Sequence, residues 1–388
     1  MLSSLCTFKE FLREIKPARE EQMKQFKASA VMLGFLIGLF VAAPANAWDR
    51  GQVNVLAVLP DVTPGVQSSV EGLTVGPDGN IYVPTFGFNT KGALTGNAVL
   101  FVISPQGKII RQVTIANSSP HMLGLAFNPK THALWVLDFG AGKVLQVDPT
   151  NGASTVLAGP ITNSGLNALT FDPAGNGYVS DSFNGVIWQV PPHGGSATAF
   201  SSGALLGPGT GLTPPFGANG VEFNNEYTMM YVADTAFHQI IQIPVTLNHG
   251  AAVLNGSPSI LTTGVNAPDG IMIDRDDNIW ICSNQEDEIV VVDPKAKNPI
   301  TGAPLPKVIA KLGDFYGIDR NGIAQGFLFP ASLAFSLDGR TLYVSNLTLY
   351  LPYAGADAAI DSGWTLQVKG YTVSAIPAFI PRIQGSAP

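Results

Sequence analysis

One strand-turn-strand unit recurs six times along this chain of 388 residues. A small or polar residue leads a short β-rich run, a turn follows, and a second hydrophobic strand closes the unit. The copies are EGLTVGPDGNIYV from Glu71, LGLAFNPKTHALWVLD from Leu123 and NALTFDPAGNGYVSD from Asn167. NGVEFNNEYTMMYVAD follows from Asn219, DGIMIDRDDNIWICS from Asp269 and ASLAFSLDGRTLYVSN from Ala331. Successive starts lie 44 to 62 residues apart. A unit of about this length cannot bury its apolar face alone. Stacked radially on five others it becomes the blade of a propeller. The chain is therefore read as all-β, a six-bladed β-propeller.

Each unit continues into a third strand: Val99–Ile103, Val144–Val147, Val186–Val190, Ile240–Ile243 and Ile289–Val292. The first turn of each unit is rich in Asp, Asn, Gly and Pro, as hairpin chemistry requires. The chain's 42 Gly and 29 Pro suit many short strands joined by tight turns. Val53–Leu59 is a spare strand ahead of the first unit, and 364–373 supplies further strand after the last. The two ends are expected to share a blade and so close the ring without an open edge. The last interval is the longest because of an insertion at about 295–330, a stretch long enough to cover one mouth of a channel.

The first 47 residues read as a leader and the propeller domain as 48–388. Lys24 and Lys27 precede an uncharged apolar stretch and then Ala45-Asn46-Ala47, a small-residue cleavage signal. The apolar stretch is short of the ~20 residues of a membrane span. A secreted or periplasmic protein, with no membrane contact once the leader is cleaved, is the expectation; an uncleaved anchor is the other reading. Cys6 falls in the leader, which leaves Cys282 and no internal disulfide. Cys282, in I-W-I-C-S, reads as a small core hydrophobe. The net charge is −7 with no basic run, which argues against nucleic acid as a partner.

In a propeller the first strand of each blade lines the central channel, and its head lies near one mouth. The six heads are Glu71, Leu123, Asn167, Asn219, Asp269 and Ala331. Four carry side-chain oxygens and should converge on the axis. Such residues can be solvated channel polars. Two carboxylates, however, repel and are costly to desolvate without a positive partner. No Lys or Arg holds an equivalent position. A hard divalent cation on an all-oxygen set satisfies both carboxylates, and that set favours calcium (Ca2+).

The order Glu71, Asn167, Asn219, Asp269 on successive inner strands, with Asn219-Gly220 and Pro268-Asp269-Gly270, resembles the senescence-marker-protein/gluconolactonase (regucalcin-like) family. Paraoxonases and diisopropyl fluorophosphatase share a similar arrangement. The resemblance implies a six-bladed propeller with those four residues as metal ligands. It implies hydrolysis of a lactone or ester, with Asp269 also an acid, base or nucleophile beside the metal. Two departures bear on the substrate. Asn167-Ala168-Leu169 stands where gluconolactonases often have Asn-Asp-Gly, and their sugar-contacting arginine has no counterpart beside Asn167. The Pro120-His121 pair resembles the Pro-His of paraoxonases, which implies a catalytic base at His121, in a register two residues off. A loop histidine bonded to backbone is the other reading.

Asp138, Asp181 and Asp234 each end a second strand, where repetition points to turn bonding. Asp274, Asp276 and Asn278 imitate a calcium loop but fall on a hairpin turn. The favoured function is metal-dependent hydrolysis of a small lactone or ester. Two others stay open: a non-catalytic propeller binding a ligand or protein with a structural calcium, and a strictosidine-synthase-like enzyme on the same scaffold.

Overall fold

A computed structural model describes residues 50–209, 215–354 and 362–379. The expected leader lies outside the described residues. The fold is the six-bladed propeller, and its blades follow the repeats. Blade 1 runs Thr74–Val75, Ile81–Pro84, Val99–Ile103 and Ile109–Thr114 from the inside out. Blades 2, 3 and 5 begin at Met122–Phe127, Leu166–Phe171 and Pro268–Ile273, each an antiparallel meander of four strands. Blade 4 begins at Ala218–Phe223; its third strand, Gln239–Asn248, is long enough to pair with both Ala251–Leu254 and Ser259–Thr263.

Blade 6 is built from both ends of the chain. Pro330–Phe335, Thr341–Asn346 and Thr372–Pro377 pair in turn, and Asn54–Val58 adds the outermost strand. The shared blade expected from the sequence is present. The strand after the last repeat is Thr372–Pro377 rather than 364–373, because Ser362–Thr365 is a helical turn. The stretch 295–330 is likewise not all insertion. Lys307–Leu312 is the fourth strand of blade 5, and Phe315–Ile318 with Ala324–Gly326 forms a small hairpin.

Apolar clusters fill the gaps between blades. One joins blades 1 and 2 through Leu100, Val102, Leu125 and Val136; another joins blades 3 and 4 through Tyr178, Ile187, Val221 and Met230. The buried positions alternate with polar ones on the outer strands, as in Ile109–Thr114, because only one face of an outermost strand meets a neighbour.

The inner strands share one irregularity. In every blade the register with the second strand slips between the head region and the body of the first strand, as between Leu166 and Leu169 or Ala218 and Val221. The extra residue turns the head inwards. Just after the head, neighbouring backbones nearly touch. A Cβ on Gly72 would lie 2.0 Å from the Leu123 carbonyl oxygen, and one on Gly220 would lie 2.2 Å from that of Asp269. Hydroxyls stitch the same level: Ser182 Oγ donates to Ala218 O at 2.7 Å, Thr235 Oγ1 to Pro268 O at 2.7 Å, and Ser345 Oγ to Glu71 O.

This contact yields a test. Gly220→Ala forces blades 4 and 5 apart at the channel, and the expected cost is about 1–3 kcal/mol, the range for overpacking. Chemical denaturation measures it; a variant as stable as the parent would mean that the inner strands do not pack this closely.

Candidate metal centre and its cavity

The inward turn of the heads brings the four sequence-derived oxygen donors to one place. Glu71, Asn167, Asn219 and Asp269 all line a single cavity of about 240 Å³ at one mouth of the channel. All four are at least nine-tenths buried. Among the described residues no Lys, Arg or His lines this cavity.

Two of the four are oriented by neighbours. Asn219 Nδ2 donates to Thr235 Oγ1 at 2.9 Å, which leaves Asn219 Oδ1 buried with no donor. Asn284 Nδ2 donates to Asp269 Oδ2 at 3.1 Å, and Gln285 Nε2 holds Asn284 Oδ1 at 3.1 Å. Asp269 Oδ1 is also buried with no donor. Buried acceptors are nearly always paired, so two unpaired oxygens in one cavity leave it two places for a donor or a cation.

The carboxylates report the same strain. Burial first, then the charge of Asp269, pushes the Glu71 carboxyl well above the usual range. Burial raises Asp269 too, against the opposing hydrogen bond from Asn284. Cys282 is buried behind them, and burial followed by the charges of Asp269 and Glu71 pushes its thiol up. It is a core residue, not a nucleophile. Among the described residues no group of three or more His, Cys, Asp or Glu is placed to hold a metal ion. The donor set is two carboxylates and two carboxamides, which suits a hard cation.

Thr235 and Asn284 escaped the sequence reading, yet their signal was there. Each is the residue just past the second strand of its blade. The residues one step past the pairing ends of the second strands are Phe86, Phe139, Ser182, Thr235, Asn284 and Leu347. They form a second ring above the heads. It is apolar on blades 6, 1 and 2 and polar on blades 3, 4 and 5.

The wall that includes the apolar half of this second ring is aromatic. Phe88, Phe86, Phe139, Phe183 and Phe216 form a continuous arc with ring centroids 5.1, 5.8, 5.5 and 5.8 Å apart in that order. Leu347, Leu349, Leu351 and Phe329 extend it on the blade 6 side.

The structure does not bring His121 to the cavity lining. Its Nδ1–H donates to Phe86 O at 2.6 Å, and its ring packs on Phe88 with centroids 4.8 Å apart. The strand-ending aspartates are turn residues: Asp181 accepts from the Gly165, Phe183 and Asn184 amides and from Trp188 Nε1. Asp274 spends both oxygens on its own hairpin, on the Asp276 and Asn278 amides, Asn278 Nδ2 and Trp280 Nε1. The calcium-loop imitation is a turn, as the sequence reading had it.

Residues 216–321 match the sequence family described as SMP-30/gluconolactonase/LRE-like region. The match covers blades 4 and 5, with Asn219, Thr235, Asp269 and Asn284. No curated protein matches the chain in sequence. Among solved structures, a gluconolactonase from Xanthomonas campestris is 14% identical with a TM-score of 0.53, covering 87% of this chain and 92% of its own. A calcium-binding protein, regucalcin, from Agrobacterium tumefaciens is 15% identical with a TM-score of 0.53, covering 85% and 99%. A streptogramin B lyase is 13% identical with a TM-score of 0.53, covering 85% and 99%. The likeness to these structures is one of fold, and the resemblance read from the inner strands is to the same family that the sequence match names.

The acid pair carries a pH signature. A carboxyl whose folded pKa is raised contributes stability that is present below the ordinary value of about 4 and lost as pH rises through the raised value. In chelator, Tm should therefore fall from pH 5 to pH 8. Glu222, raised to about 7 by burial at the opposite mouth of the channel, adds a slope of the same sign. Lowered groups such as Asp277, held down by Lys295 and Asn225, titrate below this window. Asp269→Asn should flatten the slope without abolishing it. Thermal melts across this range check it; a chelated Tm that rises with pH would contradict the buried-pair reading.

Proposed function

We propose that the protein is a metal-dependent hydrolase of a small lactone or ester, with a divalent cation, best matched by calcium, held by Glu71, Asn167, Asn219 and Asp269. The observation that carries this reading is the pair of orphaned oxygens, Asn219 Oδ1 and Asp269 Oδ1, beside two buried carboxylates in a cavity without a basic side chain. A cation bound there would polarise the substrate carbonyl and offset the negative charge that develops on its oxygen.

The chain's own residues supply the rest. Asn284 donates to Oδ2 of Asp269 and leaves Oδ1 without a donor. The oxygen of Asp269 that the cation leaves free would accept a proton from the attacking water as the new C–O bond forms at the carbonyl carbon. The same proton passes to the leaving oxygen as the ester C–O bond breaks, giving an acid and an alcohol, joined in one molecule when the substrate is a lactone. The aromatic arc excludes bulk water from the reacting atoms. His121 takes no part in this scheme, because its Nδ1 is committed to Phe86 O and it does not line the cavity. The sequence match over blades 4 and 5 supports the lactonase-like reading, since Asp269 and Asn284 lie within it.

Metal binding is tested first by stability. Calcium at about a hundred times its Kd should add roughly 2.7 kcal/mol to the native state and raise Tm by roughly 5 °C. Glu71→Gln should blunt the response. Equal melts in calcium and chelator, with no metal by elemental analysis, would leave only a solvated polar channel.

Turnover is tested on a panel of aliphatic and aromatic lactones and esters with the calcium-loaded protein. Asp269→Asn should lose most of the activity, whereas His121→Ala should not show the ~10²–10⁴-fold loss of a removed general base. Absence of turnover on every member with calcium bound would reassign the site to ligand binding.

A further inference from the structure

The cavity's two rings and its wall define what it can accept. The lower ring is charged and carboxamide-bearing on blades 1, 3, 4 and 5, with Leu123 and Ala331 on blades 2 and 6. The upper ring splits more cleanly. Phe86, Phe139 and Leu347 face the cavity from blades 1, 2 and 6, while Thr235 and Asn284 face it from blades 4 and 5. The polar atoms of that second group are already engaged, by Asn219 and Pro268 for Thr235 and by Asp269 and Gln285 for Asn284. A polyhydroxylated ligand would therefore lose its water to a wall of phenyl and isobutyl groups and find few free partners. Each hydroxyl buried without one costs about 1–3 kcal/mol.

We propose, resting on the hydrolytic reading for the chemistry alone, that the site is built for a compact apolar carbonyl compound. The favoured ligand is a monocyclic lactone, or an ester of like size, bearing an alkyl or aryl substituent and no free hydroxyls. Its carbonyl lies over the four oxygen donors, and its substituent lies against Phe86, Phe88, Leu347 and Leu349 on blades 6 and 1. The volume of about 240 Å³ is below the ~300–1,000 Å³ of sites for drug-sized ligands, which limits the ligand to one ring and a short chain. Phe183, itself 41% exposed, lines the cavity on its solvent side.

Calorimetry on the calcium-loaded full chain tests the class without needing turnover. The probes are non-hydrolysable γ-lactams bearing hydrogen, ethyl or butyl on the ring carbon next to nitrogen, and gluconolactam as the polyol. Affinity should rise about fourfold for each methylene until the cavity is full, the factor for burying a CH₂, and gluconolactam should bind more weakly than the butyl compound. Leu349→Asn, checked by its melting curve, should flatten the dependence on chain length. Equal or tighter binding of gluconolactam, or no gain along the alkyl series in the parent protein, overturns the proposal. Alkyl-lactam binding without hydrolysis of the matching lactones would keep the ligand class and discard the hydrolase.

Discussion

Six inner strands can meet around one axis only if their backbones almost touch, and that contact governs the rest of this molecule. Just after the heads there is no room for a side chain at Gly72, Gly124, Gly220 or Gly270 without meeting the next blade's backbone. The residues one place earlier are thereby turned inwards by the shared register slip and pressed together. Whatever their chemistry, six heads must share one small volume. Four of them here are polar, and two are acids. The charge problem of the cavity is thus a direct product of the backbone packing.

The protein does not relieve that problem with its own cations. Lys295 and Lys311 are paired elsewhere, with Asp277 and Glu288, and Arg50 also sits on Glu288. Inside the cavity the Asn284 amide points Asp269 rather than neutralising it. Replacing the acids by apolar residues of similar size would be the more stable solution for a domain with no task at this mouth. Sites that keep such groups hold strain that a bound partner can discharge.

The fold was legible because its information is local and repeated. The strand-turn-strand units, the turns and the third strands all follow from alternation and from Asp, Asn and Gly at fixed offsets. Glu71, Asn167, Asn219 and Asp269 could be placed together because equivalence within the repeat is equivalence about the axis. The outer strands were harder. Lys307–Leu312 has mixed burial and sits in a Pro- and Gly-rich stretch, so it read as loop. Trp364 looked like strand, but it lies in a helical turn with Thr372 as the first residue of the true strand. Thr235 and Asn284 belong to the second strands' ends, a register that matters only once those ends are seen to overhang the heads. The aromatic arc was least accessible, since Phe86, Phe88, Phe139, Phe183 and Phe216 come from separate segments whose meeting no local period encodes.

The blade shared by the two ends of the chain also sets an order of events. Asn54–Val58 is among the first of the folded strands to be synthesised, and its partner Thr372–Pro377 is nearly the last. Until that partner exists, the early strand has nowhere to go, and a nascent chain of five blades carries two uncovered apolar blade faces. Ring closure is a contact of very large sequence separation, so its entropic cost falls on the final step of folding. The consequence is a quality check that needs no chaperone to read it. A chain that lost Asn54–Val58 would bare the edge of Thr372–Pro377, and an unpaired edge of this kind invites aggregation.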